Sequence, residues 1–454
     1  MLRPAVPPAQ QAAQEELTQD WQPTRALGRA LLVCGMLLVG AVLFGRIDLV
    51  VLAVPFAVSV AWGLSRRPVT VPGLRLATSE EYATEGSELA TTLAMANRDV
   101  VSYDLAIART QHSPWLELTA DGSGAKQDRP IVAALDRGEA AGLVLTGPAR
   151  RWGRHSIGPA AAVAVACGGL LTCRAVVTGS LGFKVFPVTE PFAADEAMPR
   201  AAGLVGQHRS RRTGEGGELS GVRTFGPGDR LRRIDWRTTL RTRQLHVAQT
   251  LSDRDAEVVL VLDLLTEAGV SGGVGGASSV MDVTVRAGAA IAEHYLTLGD
   301  RVSMIEYGAA ARRLRPASGR RQYMMVLEWL LDVSPRQVVR VPGETRMSAA
   351  ISPNALVVVM TPLLDARSAD MVAGLARAGR SVVTVDTLPP GLRASARGPW
   401  TSPAFGIWQL ERDNTIGQLR EHGVPVVAWA GAGSLDLVLR DVARMAGRAQ
   451  GARR

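Results

Sequence analysis

The chain has 454 residues, of which 47% are apolar, and this is enough for about two or three domains with sizeable cores. Its 51 basic residues exceed its 42 acidic residues, giving a formal net charge of +9. Only Lys126 and Lys184 among the basic residues are lysines; such an arginine bias is typical of GC-rich coding, so the charge does not by itself indicate an anionic partner. Three cysteines without a CxxC motif and six scattered histidines argue against a disulfide framework and a histidine-rich metal site.

The N-terminal part contains two long apolar runs. Residues 1–24 are rich in Pro, Gln and Ala and predict a disordered cytoplasmic tail. Apolar runs at residues 30–45 and 49–64 follow closely on each other and predict a two-helix transmembrane hairpin over residues 25–67. A signal peptide would have one apolar run and a cleavage site, and a buried hairpin would carry polar stripes, so both alternatives fit less well.

Arginines on both sides of the hairpin determine its expected orientation. The flanking residues are Arg25 and Arg29 before the runs and Arg66 and Arg67 after them. Because cytoplasmic flanks carry the excess of Lys and Arg, both ends are expected in the cytoplasm. The sequence therefore predicts a multi-pass protein of the cell (inner) membrane, with its N-terminus and soluble domains in the cytoplasm.

The middle of the chain has the pattern of short β-strands. Residues 68–188 contain runs that alternate apolar and polar residues, separated by Gly, Pro, Asn and Asp. Several short strands at such spacing predict a β-rich, sandwich-like module. No cluster of titratable residues stands out in it, so a spacer or interaction surface is favoured over an active site. Residues 189–220 then lose this periodicity and predict a linker.

The chain from residue 255 to 454 has the pattern of an α/β domain. The continuous apolar run at residues 257–265 is typical of a central parallel strand. Further strands alternate with helical stretches, which predicts a doubly wound sheet. Ligands of such sheets bind at the carboxyl ends of the strands, so residues 264–280 are expected to border a binding edge. Their glycines lack the spacing of a P-loop or a dinucleotide fingerprint and predict a flexible loop without a bound nucleotide.

Residues 221–254, here called the signature segment, are dense in arginine and aspartate. The pattern consists of Gly221, Arg223, Phe225, Gly228, Asp229, Arg232, Ile234, Asp235 and Trp236, followed by Arg241, Leu245 and Val247. This long and irregular pattern resembles the signature of the bacterial family called domain of unknown function 58. Phe225 departs from it, because members usually have a tyrosine at that position.

The resemblance implies an architecture and a partner more than a chemistry. Members have an N-terminal membrane hairpin, a β-rich segment, the signature and a C-terminal von Willebrand factor A-like domain. Many are encoded near MoxR-type AAA+ ATPases, which implies that such an ATPase is the partner. The predicted function is therefore that of a membrane-anchored cytoplasmic interaction or adaptor protein, which works with the ATPase in assembly or remodelling of other proteins and is not an enzyme.

The resemblance also raises the question of a divalent cation. Von Willebrand A domains often bind one through a D-x-S-x-S sequence, and here Asp263 is followed by Leu265 and Glu267 at the two serine positions. Hard cations need several oxygen ligands, and Leu265 offers none, although Glu267, Thr361 and Asp365 could contribute oxygens. The prediction is that no cofactor is bound; a degenerate metal site at Asp263, Glu267 and Thr361 is the alternative.

Three interpretations of the signature segment are open. The residues concerned are Arg223, Asp229, Arg232, Asp235, Trp236 and Arg241. In a structural clasp, Asp229 would cap a short helix, Asp235 would accept paired hydrogen bonds from an arginine, and Trp236 would pack over another arginine. In a docking surface, the Arg and Trp residues would contact an acidic protein partner. In the alternative function, an anionic-ligand-binding protein or a hydrolase would use the cluster. Nucleic acid is not expected there, because aspartates interrupt the arginines.

Overall fold

The computed structural model describes residues 21–120, 130–189, 213–226, 234–251, 257–334, 347, 351–353, 355–393 and 398–429. The chain divides into two compact units, Met1–Phe186 and Pro187–Arg454. They are called the N-terminal unit and the C-terminal unit below.

Two apolar helices, α1 (Arg25–Phe44) and α2 (Ile47–Ser65), pack against each other in the N-terminal unit. Thr24 caps α1 by accepting a hydrogen bond from the Leu27 amide, and Gly45 ends it with a φ of 60°, which glycine adopts without strain. Most of the large apolar side chains of both helices are exposed. By length and composition, each helix could cross a bilayer. The predicted pair of N-terminal apolar helices is therefore confirmed.

The strands of the N-terminal unit form two sheets. They are β1 (Trp21–Pro23), β2 (Gly73–Thr78), β3 (Tyr82–Thr84), β4 (Glu88–Ala96), β5 (Tyr103–His112), β6 (Ile131–Leu135), β7 (Ala140–Pro148), β8 (Gly153–Ala166), β9 (Leu171–Cys173), β10 (Val176–Val177) and β11 (Leu181–Phe186). The smaller sheet has the order β2-β4-β7; the larger has the order β1-β9-β8-β11-β3, with β5 and β10 also paired to β8, and β6 to β5. Residues of both sheets, including Leu76, Leu93, Ala162 and Phe183, are buried in one core. Alternate residues of the longer strands, such as β4, β5 and β8, supply much of that core, as a period of two predicts.

Strand β1 lies inside the segment predicted as a disordered tail. Trp21 is buried and pairs with Cys173 of β9, and its ring centroid lies 5.6 Å from that of Tyr103. The indole N–H also donates to the carbonyl oxygen of Thr70 at 3.1 Å. Residues 21–23 therefore depart from the prediction, because composition alone does not show that a short segment pairs with a strand distant in the sequence.

A two-stranded ribbon occurs in the C-terminal unit. Strands β12 (Thr213–Thr224) and β13 (His246–Leu251) are antiparallel, and a short helix, α3 (Trp236–Thr242), lies between them in the sequence. Strand β12 begins within the predicted linker, residues 189–220. The difference arises because the strand is stabilised by its pairing with β13, and not by an apolar pattern of its own.

A six-stranded sheet is the largest sheet described in the C-terminal unit. Its strands are β14 (Glu257–Asp263), β15 (Arg301–Tyr307), β16 (Arg313–Ala317), β17 (Leu356–Thr361), β18 (Ser381–Asp386) and β19 (Val426–Ala428). Their order is β16-β15-β14-β17-β18-β19, and all neighbours are parallel except β15 and β16. Every residue of β14 is buried, as its continuous apolar run predicts.

Helices cover both faces of this sheet. They are α4 (Val280–Thr297), α5 (Arg320–Leu331), α6 (Ala366–Arg377) and α7 (Thr401–Glu421). Helices α4 and α5 pack together, and Gly288 of α4 lies against Met360 of β17. The buried residues of α6 and α7 instead share a core with Val259 and Val357. The predicted multi-domain chain with an α/β part is confirmed, and the parallel strands end at one common edge.

Candidate functional site

Within the signature segment, residues before α3 form hydrogen bonds with residues at and next to the start of strand β13. The Phe225 amide donates to the carbonyl oxygen of Leu245 at 2.8 Å, and the Asp235 amide donates to that of His246 at 2.9 Å. Arg223, on the preceding strand β12, is exposed. These backbone hydrogen bonds therefore hold the residues that precede α3 against the residues that follow it.

Asp235 is the N-cap of α3. Its carboxylate accepts hydrogen bonds from the amides of Arg237 at 3.0 Å and Thr238 at 3.1 Å. The first amides of a helix lack partners within the helix, so the carboxylate just before it can satisfy them. The sequence predicts that Asp229 caps a short helix and that Asp235 pairs with an arginine; the structure shows Asp235 as the cap of α3. Asp229 and Arg232 lie outside the described residues.

Threonines fasten α3 to strand β13. Thr239 Oγ1 accepts a hydrogen bond from the His246 amide at 3.0 Å, and Thr242 Oγ1 lies 3.1 Å from His246 Nδ1. Neither threonine was among the predicted site residues. The threonines of the sequence RTTLRT are the signal for them, because threonine hydroxyls bond readily to nearby backbone groups.

The outer face of α3 is apolar and cationic. Trp236 and Leu240 are four residues apart and share one face of the helix, where they are 62% and 78% exposed. Arg237 and Arg241 flank them and are also exposed, and no residue of α3 is buried. Trp236 thus exposes most of its surface; that it packs over an arginine stays a prediction, because Arg232 lies outside the described residues. These four residues are called the α3 face.

A second group of predicted residues lies at the carboxyl edge of the six-stranded sheet. Asp263 is 1% exposed, and its carboxylate accepts hydrogen bonds from Thr361 Oγ1 at 2.6 Å and the Leu265 amide at 3.1 Å. The buried hydroxyl of Ser368 also faces it, outside ideal hydrogen-bond geometry. Burial raises the pKa of Asp263, and the hydrogen bonds offset this only in part. The structure therefore brings Asp263 and Thr361 together.

Two other acidic residues of this edge have structural partners. Asp365 caps α6 through the amide of Arg367 at 2.9 Å, and its Oδ2 lies 2.6 Å from Arg367 Nη2. The Arg367 guanidinium lowers the pKa of Asp365. Glu267 Oε1 instead accepts a hydrogen bond from the Met281 amide at 3.3 Å. Within the described ranges, no three His, Cys, Asp or Glu side chains are grouped so that they could hold a metal ion.

The first amides of α4 already have partners. The Val280 amide donates to a backbone carbonyl at 2.9 Å, and the Met281 amide donates to Glu267. The Asp282 amide donates to Ser279 Oγ at 3.3 Å, completing a capping box. Nucleotide phosphates bind to free amides at such a helix start. This first turn is therefore arranged for self-capping and not for phosphate.

The glycine-rich residues between β14 and α4 form a hydrogen-bonded turn, where the sequence predicts a flexible loop. The Gly272 amide donates to the carbonyl oxygen of Ala277 at 2.7 Å, and the Gly276 amide donates to that of Gly273 at 3.2 Å. A Cβ atom at Gly276 would lie 2.5 Å from the Gly272 oxygen. Glycine is needed there because the backbone approaches itself too closely for a side chain.

A cavity of about 930 Å³ lies at the carboxyl edge of the sheet, beside this turn. Its walls come from the turn after β14, the residues after β18 and the first half of α7. Apolar lining residues include Leu364, Pro389, Pro390, Phe405 and Trp408. The polar side chains of the lining are those of Glu267, Ser278 and Arg393. The sequence predicted binding at this edge but indicated none of the residues that α7 contributes.

Comparisons with known proteins match the C-terminal unit of the chain. Residues 221–390 match the family described as Protein of unknown function DUF58. Uncharacterized proteins of Mycobacterium bovis and Mycobacterium tuberculosis are each 32% identical over 154 residues, which are 34% of this chain and 46% of the relative. The match thus spans about half the length of these curated relatives.

Solved structures resemble parts of the chain at low identity. An aerotolerance-related membrane protein from Bacteroides fragilis is 14% identical, with a TM-score of 0.26 over 42% of this chain and 98% of that chain. The CARDB domain of a Pyrococcus furiosus protein is 10% identical, with a TM-score of 0.18 over 26% of this chain and 94% of that chain. The family match begins at Gly221, the first residue of the signature segment, so the resemblance inferred from that segment is confirmed as a match of residues 221–390 to the DUF58 family.

Proposed function

We propose that this chain is a membrane-anchored interaction protein, and not an enzyme, that recruits a protein partner through the α3 face. The observation that carries the proposal is the exposed pair of Trp236 and Leu240 between Arg237 and Arg241. Trp and Arg are the residues most enriched in binding hot spots, and a short helix does not expose such a pair for its own stability. An acidic, partly apolar partner surface complements this face.

The contacts of two carboxylates in the C-terminal unit support binding over catalysis. Asp235 is engaged with two helix amides, and Asp263 is almost fully buried against Thr361. A general acid or base needs access to its substrate and a pKa near the working pH. Asp263 does not meet the first condition because it is buried, and Asp235 is occupied by two amides of α3.

The anchor in this proposal is the hairpin of α1 and α2, with both ends in the cytoplasm. Arg25 and Arg29 lie in the first two turns of α1 and Arg67 follows α2, and the Arg66 guanidinium lies 4.5 Å from the centroid of the Trp62 ring at the end of α2. Tryptophan and arginine at helix ends suit the interface between lipid and water, and excess arginine favours the cytoplasmic side. The soluble parts of both units would then be cytoplasmic.

We further propose that the α/β part is von Willebrand A-like and that the partner is a MoxR-type AAA+ ATPase. The sheet with helices on both faces and Asp263 at the end of its first parallel strand supports the first point. The second point rests on the family resemblance and on the cationic α3 face. Because Asp263 is buried beside Leu265, this partner contact would not depend on a bridging metal ion.

Crosslinking in native membranes, followed by affinity purification and mass spectrometry, tests the proposal. The parent chain is expected to recover the ATPase, and Trp236→Ala is expected to reduce its recovery about tenfold or more. Trp400→Ala is the matched control, since Trp400 is 79% exposed but lies outside the α3 face. Equal recovery with both variants would remove the α3 face from the proposal. Recovery of nucleic acid in place of a protein would favour the anion-binding alternative.

A further inference from the structure

The cavity at the carboxyl edge is a second candidate for an interaction site. We propose that it binds a short segment of a protein partner that carries a bulky apolar side chain next to a carboxylate. This inference rests on the proposed role as an interaction protein, and it adds a site distinct from the α3 face. It is carried by the projection of α7, the apolar lining and the charge at the rim.

Helix α7 projects past the end of the sheet. Arg412 of α7 lies level with the carboxyl ends of two strands. Its Nε donates to the carbonyl oxygen of Pro362 after β17 at 2.9 Å, and its guanidinium pairs with Asp386 at the end of β18. The 21-residue helix is about 31 Å long, whereas a six-residue strand spans about 20 Å. Residues 401–411 therefore stand beyond the carboxyl edge, and the buried residues of α7 lie only after Arg412.

The projecting half of α7 exposes large apolar side chains. Ile407 and Leu410 are 60% and 66% exposed. On the neighbouring side of the helix, Phe405 and Trp408 line the cavity, with ring centroids 5.1 Å apart. A cavity of this size with aromatic walls is large enough for an apolar side chain and adjoining backbone.

The wall opposite α7 is preformed. The hydrogen bond from the Gly272 amide to the Ala277 carbonyl oxygen closes the turn after β14. Gly269 has a φ of 82°, and a Cβ atom on it would lie 3.2 Å from the backbone oxygen of Ser278. Pro389 and Pro390 restrict the backbone that borders the cavity after β18. A preformed wall lowers the ordering cost of binding.

The charge at the rim is complementary to a carboxylate. Glu267 is engaged with the Met281 amide, and Ser278 Oγ accepts a hydrogen bond from Arg286 Nη1 at 3.2 Å. Arg393 is exposed at the rim. A hydrogen bond from an amide leaves the Glu267 carboxylate charged, so the described lining carries one anion, held next to the start of α4, and one cation, Arg393, which can pair with a carboxylate of the partner. Residues 431–454 of this chain contain five arginines and two aspartates, so Arg393 favours an acidic partner over the chain's own C-terminal sequence.

Selection of phage-displayed random dodecapeptides on the full chain in lipid nanodiscs tests this inference. We expect enriched peptides to contain an aromatic or large aliphatic residue beside Asp, Glu or the free C-terminus. Trp408→Ala is expected to weaken the best peptide about tenfold or more. Arg393→Glu is expected to reverse the preference from acidic to basic peptides, which a merely structural role of Arg393 would not do.

Matched variants separate this site from the α3 face. Trp236→Ala removes an exposed tryptophan outside the cavity, and Arg320→Glu reverses an exposed charge on α5; neither is expected to change peptide binding. Peptides that bind all variants equally would overturn the inference. A photocrosslinker at position 408 that captures residues 431–454 or a second copy would also overturn it. The two proposals can fail separately. Loss of ATPase recovery with Trp236→Ala supports the proposed function of the α3 face, whereas peptide binding to the Trp408→Ala and Arg393→Glu variants tests the cavity.

Discussion

At the scale of residues, several carboxylates of the C-terminal unit have structural roles as helix caps or buried hydrogen-bond acceptors. Asp235 and Asp365 each cap a helix, and Glu267 bonds the first turn of α4. Asp263 is held by Thr361 and a backbone amide. With these acids engaged, the exposed side chains of the α3 face and Arg393 are among those that a partner can contact.

The buried Asp263 predicts a dependence of stability on pH. Burial raises its pKa above the ordinary value of 3.8, so its contribution to stability is fully present below that value and is lost as pH rises through the raised pKa. Asp263→Asn removes this titration. We expect the urea midpoint of the variant to rise relative to the parent as pH increases from about 4 to about 7. Asp370→Asn, at an exposed position of α6, is the control; a parallel pH dependence of the parent and Asp263→Asn would contradict the prediction.

The role of some residues could be predicted from the sequence, and that of others could not. The uninterrupted apolar run predicts the buried strand β14, and the last residue of this strand, Asp263, marks the sheet edge at which the sequence predicts binding. The capping role of Asp235 was missed, because GDRLRRIDW offers two aspartates and only the backbone decides which one precedes the helix. The sequence did not indicate that Phe405 and Trp408 line a cavity, because a pair of aromatic residues in a helix usually indicates a buried face.

At the scale of elements, the helix hairpin is joined to the β-strands at both ends. Before α1, the Thr24 hydroxyl donates to the carbonyl oxygen of Gly169 at 2.7 Å, and β1 pairs with β9. After α2, the Asp99 carboxylate accepts hydrogen bonds from the amides of Val69 and Thr70. Burial opposes the charged form of Asp99, but these donors outweigh it and lower its pKa. The hairpin therefore holds the sheets in a fixed orientation to the bilayer that we propose it spans.

Close packing at Gly63 tests this junction. A Cβ atom at Gly63 would lie 2.6 Å from Leu170 Cδ1 and 3.1 Å from the backbone oxygen of Cys167. We expect Gly63→Ala to lower stability by about 1–3 kcal/mol through overpacking. Gly35→Ala in α1 meets nothing within 4 Å and should be neutral or slightly stabilising, because alanine favours helix. Thermal unfolding in detergent measures both; equal melting temperatures would show that α2 is not fixed against the β8–β9 turn.

At the scale of the whole molecule, the proposed adaptor role joins an anchor to two exposed surfaces of different chemistry. The α3 face is a cationic, apolar ridge, and the cavity beside α7 is a largely apolar recess with the exposed cation Arg393 at its rim. A ridge suits contact with a folded surface, whereas a recess suits an extended segment. Two such surfaces on one unit allow a single partner to bind at two points or two partners to bind together, and either arrangement raises the effective concentration at the membrane.

This role requires that the soluble parts share the compartment of the partner, which the orientation of the hairpin decides. With Cys34, Cys167 and Cys173 replaced by serine, we expect Ile47→Cys, at the first residue of α2, to react with a membrane-impermeant maleimide in intact cells. Arg320→Cys, exposed on α5, should react only after the cells are opened. Excess arginine at both outer ends of the hairpin favours this arrangement. Reaction of Arg320→Cys in intact cells would place α5 outside, and a cytoplasmic ATPase could then not be the partner.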